Sequence, residues 1–332
     1  MPKNLRHKKL KDKNSDKQIP ENVSFRSFLK NSKRYDVNIT DKTLDSQIMK
    51  KRDALTWNIT FRKENINAAS IIHLKNTLKL TKKIQKISFV FSVFNLPYHS
   101  RFNNIPALTG LPFIQSISLF FVGSPRITDN HIDKIQTCLK KLRFLKEVSL
   151  SFAHYDGITN NGLQNLSKCL RTFLFVQKIE LSFWNCQTIT DFGLYYLSKG
   201  FKRLTSLKSI KLSFYQNRNV VDKGLQALSK SLKGLRKLQT LDLCFNYCEK
   251  IIDDGFCSLC EVMEKLIVLQ KVRIVFIDCK EITLPAEQKM TETFIKHPSF
   301  QKFASFCFPV GGDRLKRGIW AFESKESTQS CC

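Results

Sequence analysis

Four cysteines in one stretch, Cys244, Cys248, Cys257 and Cys260, have the types and spacing to offer chemistry, and the last two form a CxxC. Zinc would need four thiolate or imidazole ligands converging tetrahedrally. The six histidines, His7, His73, His99, His131, His154 and His297, are scattered and supply no obvious partner. Nucleophiles, bases and carboxylates occur as isolated residues, and GGDR at 311–314 is too short for a phosphate-binding signature. The chain therefore reads as non-enzymatic, with no metal and no cofactor expected.

The elements that position those cysteines decide the matter. From Ile179 to Leu207 the chain reads IELSF, NC, ITDFGLYYLSKGF and LTSL; 31 residues on, the same columns read IKLSF, QN, VVDKGLQALSKSL and LRKL. Such a period marks a repeat architecture. Ile87, Ile117, Val148, Ile179, Ile210, Leu241 and Val272 hold the first inward strand position, at intervals of 30 or 31 residues. Phe91, Phe121, Phe152, Phe183, Phe214, Phe245 and Phe276 stand four residues later as a phenylalanine spine, and Trp57, Ile59 and Phe61 predict an eighth strand. Further inward columns run through Ile84, Ile114, Leu145, Val176, Leu207, Leu238 and Leu269, and along the helices through Leu78, Leu108, Leu139, Leu170, Phe201, Leu232 and Met263. In this register Cys244 is in an outward strand column, Cys248 in a turn, and Cys257 and Cys260 on a helix. The four disperse, and the thiols read as buried or tolerated.

Within each unit, inward Ile210, Leu212 and Phe214 alternate with outward Lys211 and Ser213, the period of a strand; Leu225, Leu228 and Leu232 then follow helical spacing. Thr128, Thr159 and Thr190, followed by Asp129, Asn160 and Asp191, predict helix N-caps, and Gly162, Gly193, Gly224 and Gly255 recur just after. Parallel strands about 4.8 Å apart joined by wider helices on one side must curve. The third unit, with Pro106, Gly110 and Pro112, predicts an irregular or 3₁₀ segment.

Size and composition fit one elongated array. The 332 residues are 42% hydrophobic, and the net charge of +27 points to acidic partners. No window approaches the ~20 apolar residues of a membrane span. Eleven cysteines without paired spacing, and no apolar signal core at the N-terminus, read as reduced thiols in an intracellular, cytoplasmic protein. Residues 1–18 are a basic, disordered tail: a solvated segment, a nuclear-localisation signal or a nucleic-acid arm. Residues 19–56 read as an N-terminal cap, 57–283 as about eight units, and 284–332 as a C-terminal cap helix and polar tail.

The stretches ITDFGLYYL, ITNNGLQNL and VDKGLQAL, preceded by LSFWNC, LSFYQN and LCFNYC, resemble leucine-rich repeats of the ribonuclease-inhibitor-like and cysteine-containing types. The resemblance covers about two thirds of the chain. It implies an α/β solenoid, a horseshoe with a parallel β-sheet on the concave face and helices on the convex face. It also implies an internal ladder of Cys186, Asn217, Cys248 and Cys279, interrupted by Tyr155. Intracellular members include substrate-recognition subunits of F-box ubiquitin ligases, activators of the Ran GTPase and bare interaction scaffolds. Residues 19–56 hold no convincing F-box, and the acidic tail of the Ran activators is missing. Cys331 and Cys332 resemble the prenylated ending of Rab GTPases, without the GTPase fold that the modification depends on.

Three surfaces are candidates for partners. On the concave face an outward column reads Ser118, Ser149, Glu180, Lys211, Asp242 and Arg273, beside a small-residue column of Ser151, Ser182, Ser213 and Cys244. The charges alternate, so they form either a self-paired ladder or a floor for a charged partner. At the strand ends stand Trp184 and Tyr215, with Tyr155 and Tyr247 near, which are either binding hot spots or packing within the turns. Outside, Lys140, Arg171, Lys202 and Lys233 stack in one column and Lys168, Lys199 and Lys230 in another. These cations complement helix dipoles or build a stripe for RNA, DNA, anionic lipid or acidic protein. The expected function is a protein-interaction scaffold using the concave sheet and its rim. The alternatives are nucleic-acid or anionic-surface binding through the stripe and tail, and an F-box-type recognition subunit.

Overall fold

The computed structural model describes residues 127–153 and 157–297, the segments 56–61, 84–92 and 113–122 with Leu111, and the strands Asp36–Asn38, Ala304–Pro309 and Arg317–Ala321. The chain divides into two compact units, 1–34 and 35–332, and all described residues belong to the second. The irregular segment expected at 106–112 and the positions of Leu78, Leu108, His154 and Tyr155 lie outside the described residues, Leu111 apart.

Alternating columns produce one sheet in chain order. Its strands are β1 (Asp36–Asn38), β2 (Thr56–Phe61), β3 (Lys86–Ser92), β4 (Ser116–Val122), β5 (Glu147–Ala153), β6 (Lys178–Trp184), β7 (Ser209–Ser213), β8 (Thr240–Cys244), β9 (Lys271–Val275), β10 (Ala304–Pro309) and β11 (Arg317–Ala321). Each strand pairs in parallel with the next as far as β10, and β11 runs antiparallel to β10. The register sets Trp57, Ile87, Ile117, Val148, Ile179, Ile210, Leu241 and Val272 side by side, as the periodicity predicts. Sheet pairing runs on past the expected array end at 283. There Arg273 pairs with Ser305, one residue beyond the usual interval, in a stretch that lacks the repeat signature.

Among the described residues the helices are α1 (Asp129–Leu139), α2 (Asn160–Leu170), α3 (Asp191–Phe201), α4 (Asp222–Leu232), α5 (Asp253–Met263) and α6 (Leu284–Lys296). Leu139, Leu170, Phe201, Leu232 and Met263 are buried against the sheet. Between sheet and helices the spine forms a continuous stack, with neighbouring ring centroids from Phe91 to Phe276 separated by 4.9, 5.3, 5.6, 5.5, 5.6 and 5.4 Å. Phe214→Leu keeps most of the buried area but breaks two stacks, so a loss of about 1 kcal/mol is expected in urea unfolding.

Two ladders join successive repeats. In the inner one, Asn217 Nδ2 donates to the Phe183 carbonyl at 2.5 Å and its Oδ1 accepts from Cys186 N–H at 2.9 Å. Cys248 and Cys279 point their thiols at the equivalent carbonyls of Phe214 and Phe245, at 3.1 Å each. These contacts satisfy turn carbonyls that would otherwise be buried without partners. The sulfurs therefore serve the backbone.

The outer ladder differs from the predicted capping. Thr159 and Thr190 do cap α2 and α3, through Asn161 N–H at 3.1 Å and Phe192 N–H at 3.4 Å. The residue after each cap, however, serves the next repeat: Asp129, Asn160, Asp191, Asp222 and Asp253 accept from the backbone N–H of Thr159, Thr190, Val221, Ile252 and Thr283, at 2.8, 3.0, 2.7, 3.0 and 2.8 Å. At α5, where Ile252 has no capping oxygen, Asp222 also accepts from Gly255 N–H at 3.1 Å. This clasp explains the recurring glycine. A Cβ at Gly193 or Gly224 would lie 2.7 or 2.8 Å from the clasp oxygen of Asn160 or Asp191, and one at Gly162 or Gly255 would collide with that of Asp129 or Asp222.

Candidate functional site

On the outward face of β6 to β9, the register places Glu180, Lys211, Asp242 and Arg273 on adjacent strands. They form one chain of ion pairs: Lys211 Nζ lies 3.4 Å from Glu180 and 3.7 Å from Asp242, and Arg273 reaches Asp242 at 3.2 Å. The self-paired reading of this column is thus the geometry found. Arg273 remains the most open member, its side chain 44% exposed. Ser118 and Ser149, expected in the same open column, are buried together with Asn58 and Ser88, beside the equally buried Val90 and Phe120 of the next outward column. Bulk in that neighbouring column replaces the small residues found from Ser182 to Cys244. The accessible charged floor therefore belongs to β6–β9.

At the strand ends of that floor, Trp184 and Tyr215 pack edge-on with 5.5 Å between centroids, and Tyr215 and Tyr247 with 5.2 Å. Trp184 Nε1 donates to Gln216 Oε1 at 3.2 Å. All three rings are half-buried. Burial, with Tyr247 beside it, pushes the Tyr215 hydroxyl up to about 12. Asn185, Gln216, Tyr247 and Asp278, one per repeat, adopt left-handed φ values of 53, 59, 60 and 58°. Asparagine and aspartate tolerate that region, whereas for Gln216 and Tyr247 it costs on the order of 1 kcal/mol. The sequence shows the aromatic types here but not this backbone column, whose residues differ in every repeat.

The stripe residues are Lys140, Arg171, Lys202 and Lys233 at the C-caps of α1 to α4, and Lys168, Lys199 and Lys230 in the last turns of α2 to α4. All seven are exposed, and among the described residues none forms an ion pair. Lys199 Nζ lies over the Tyr195 ring, 4.2 Å from its centroid. Contact with Lys265 lowers the pKa of Lys233. In α5 the two columns pass to Glu261 and Glu264, so the stripe ends there.

The four cysteines of the drawn zinc site are dispersed through β8, the following turn and α5, and no group of three or more metal-ligating side chains converges among the described residues. Burial pushes Cys138, Cys169, Cys260 and Cys279 up to about 12, so these thiols stay protonated. Among the described residues, no helix is long and apolar enough to cross a membrane.

No protein-family model and no curated protein matches the chain. Among solved structures it is similar to that of the complex of Rad7 and Elc1 in yeast, at 13% identity and a TM-score of 0.41 over 76% of this chain and 71% of that one. It is also similar to that of the TLR13–ssRNA13 complex, at 12% identity and a TM-score of 0.36, over 73% of this chain and 39% of that one. The fold is an α/β leucine-rich repeat horseshoe, with its parallel sheet on the concave face and its helices on the convex face. Repeat solenoids of this kind present extended surfaces for binding.

Proposed function

We propose that this protein is a non-enzymatic, intracellular interaction scaffold, of the ribonuclease-inhibitor-like or cysteine-containing repeat type, that binds a protein partner through the concave face of β6–β9 and the adjoining rim. The observation that carries the reading is the coincidence of two features in the same repeats. The charged floor is open only from Glu180 onward, and there the half-buried row of Trp184, Tyr215 and Tyr247 rises at its edge on a backbone held at Gln216 and Tyr247 in a conformation with no intrinsic advantage. Strain of that kind concentrates at functional surfaces. Rigid aromatic anchors beside a mostly self-neutralised floor suit a protein partner, because the ion pairs need no rebuilding when they are covered.

A second reading, binding of an anionic polymer, is favoured by the seven stripe cations, which are exposed and form no ion pair among the described residues. The two readings separate in one capture experiment from cell extract. Trp184→Ala with Tyr215→Ala is expected to lose the captured protein by at least tenfold, while Lys202→Glu with Lys233→Glu retains it through nuclease treatment and moderate salt. The opposite pattern would reject the concave-face reading.

A further inference from the structure

Along the edge where helices return to strands, a third column repeats at the same interval: Phe113, Phe144 and Phe175, followed by Ser206. The three residues are 53, 55 and 56% exposed, in a protein whose other spine of phenylalanines is sealed from Phe121 to Phe276. Phe144 and Phe175 border a cleft of about 340 Å³ whose remaining lining is Lys146, Gln177 and Ser206. The return segments 140–147, 171–178 and 202–209 that carry this edge hold nine cations and one carboxylate, Glu147, which lies 3.6 Å from Lys86.

We infer that this edge binds single-stranded nucleic acid, with a base held between Phe144 and Phe175 and the phosphates held by the neighbouring C-cap cations. The inference rests on the anionic-polymer reading of the stripe, which it extends from charge to base stacking. Charge complementarity selects a polyanion: every titrating group on these segments except the ion-paired Glu147 is basic, and Lys140, Arg171 and Lys202 recur once per repeat, as phosphates recur along a strand. The cleft selects the base. An apolar side chain entering it would stack on the two rings but strip water from the Gln177 amide, the Ser206 hydroxyl and the Lys146 ammonium without replacing it. A nucleobase offers flat faces to both rings and an edge of donors and acceptors to those three groups. Duplex nucleic acid keeps its bases stacked on one another, so it would use the cations alone.

Fluorescence anisotropy of the full chain with a labelled oligothymidylate, with a duplex of equal length, and with heparin and polyglutamate as competitors tests this. The single strand is expected to bind more tightly than the duplex. Phe144→Ala with Phe175→Ala should weaken the single strand by about tenfold or more and leave duplex and heparin binding unchanged. Because the rings are exposed, melting temperatures should be nearly unaltered; Phe144→Tyr with Phe175→Tyr, which keeps both stacking faces, should retain the affinity. If the alanine variant binds all probes as the parent does, the base slot is wrong while the stripe reading stands. If neither strand nor heparin binds, both fail. Polyglutamate competing as well as the oligonucleotide would overturn base recognition in favour of an acidic protein.

Discussion

Asp222→Ala should lower the unfolding free energy by about 3 kcal/mol, with no change in the secondary structure of the remaining array. The carboxylate accepts two backbone bonds from the neighbouring repeat, from Ile252 and from Gly255, and hydrogen bonds to charged acceptors contribute roughly 1.5–3 kcal/mol each when partly shielded. A comparable loss is expected at Asp129 and Asp253, whose second oxygens accept from the Thr159 and Thr283 hydroxyls at 2.6 Å each in place of the glycine N–H. Asp222→Asn is the informative control. Asn160 holds the same column and makes the same bond, so the amide should keep stability within about 1 kcal/mol of the parent. Burial raises the pKa of Asp222 despite its two bonds, so its charge lowers stability as pH rises through the carboxylate range, and the Asn variant should lack that component. Gly255→Ala should cost about 2 kcal/mol alone, since the new Cβ would lie 2.8 Å from the Asp222 Cα as well as against its carboxylate. Combined with Asp222→Ala, its cost should shrink, because part of the obstacle is gone. Urea denaturation of the four proteins checks the cycle, and full additivity would contradict a direct clasp.

The strand columns were legible because a buried position tolerates only apolar side chains, and a fixed period makes that constraint visible from Ile87 to Val272. The clasp was half legible. Asp129, Asn160 and Asp191 carry the types of helix caps, but periodicity places each residue within its own unit and is silent on which neighbour it touches; the glycine two positions after Asn160 and Asp191 was the signal, since nothing in a lone helix requires it. Ser118 misled because outward register implies exposure only where the flanking column is small, and Val90 and Phe120 are not; Ser149 is buried as well, together with its small neighbour Ser151, on the strand next to Phe120. Phe144 and Phe175 went unseen for the opposite reason. They lie in the return turns, outside strand and helix periods, although the 31-residue interval runs through turns just as it does through strands. The irregular register of β10, whose pairing interval is one residue longer than those before it, hid a strand that carries no repeat signature.

Glu287→Leu is expected to stabilise the protein by about 3 kcal/mol at pH 8 and to remove a pH dependence that the parent shows. In the preceding helices the same column holds Leu163, Leu194, Leu225 and Phe256, all at most 1% exposed, and Glu287 is itself only 8% exposed. Burial, with Asp253 nearby, pushes its carboxyl up from 4.5 to about 7. The folded protein therefore keeps a proton that the unfolded chain releases, and stability must fall as pH rises through that window and level off above it. The full shift corresponds to roughly 3 kcal/mol, and screening in a partly wet site leaves about 2 kcal/mol. Glu287→Gln should match the parent near pH 4.5, exceed it by about 2 kcal/mol at pH 8, and show no slope of its own at this site. Leucine adds the burial of its methyl groups to that gain. The clasp column ends here too, with Leu284 where an aspartate would stand, and α6 packs more loosely on α5 than the earlier helices pack on one another, which leaves room for the Ala286 methyl at the glycine position. Thermal melts of parent, Gln and Leu variants at pH 4.5, 6 and 8 decide the matter: a parent and Gln variant that change in parallel with pH would mean that Glu287 is charged and hydrated at the end of the array.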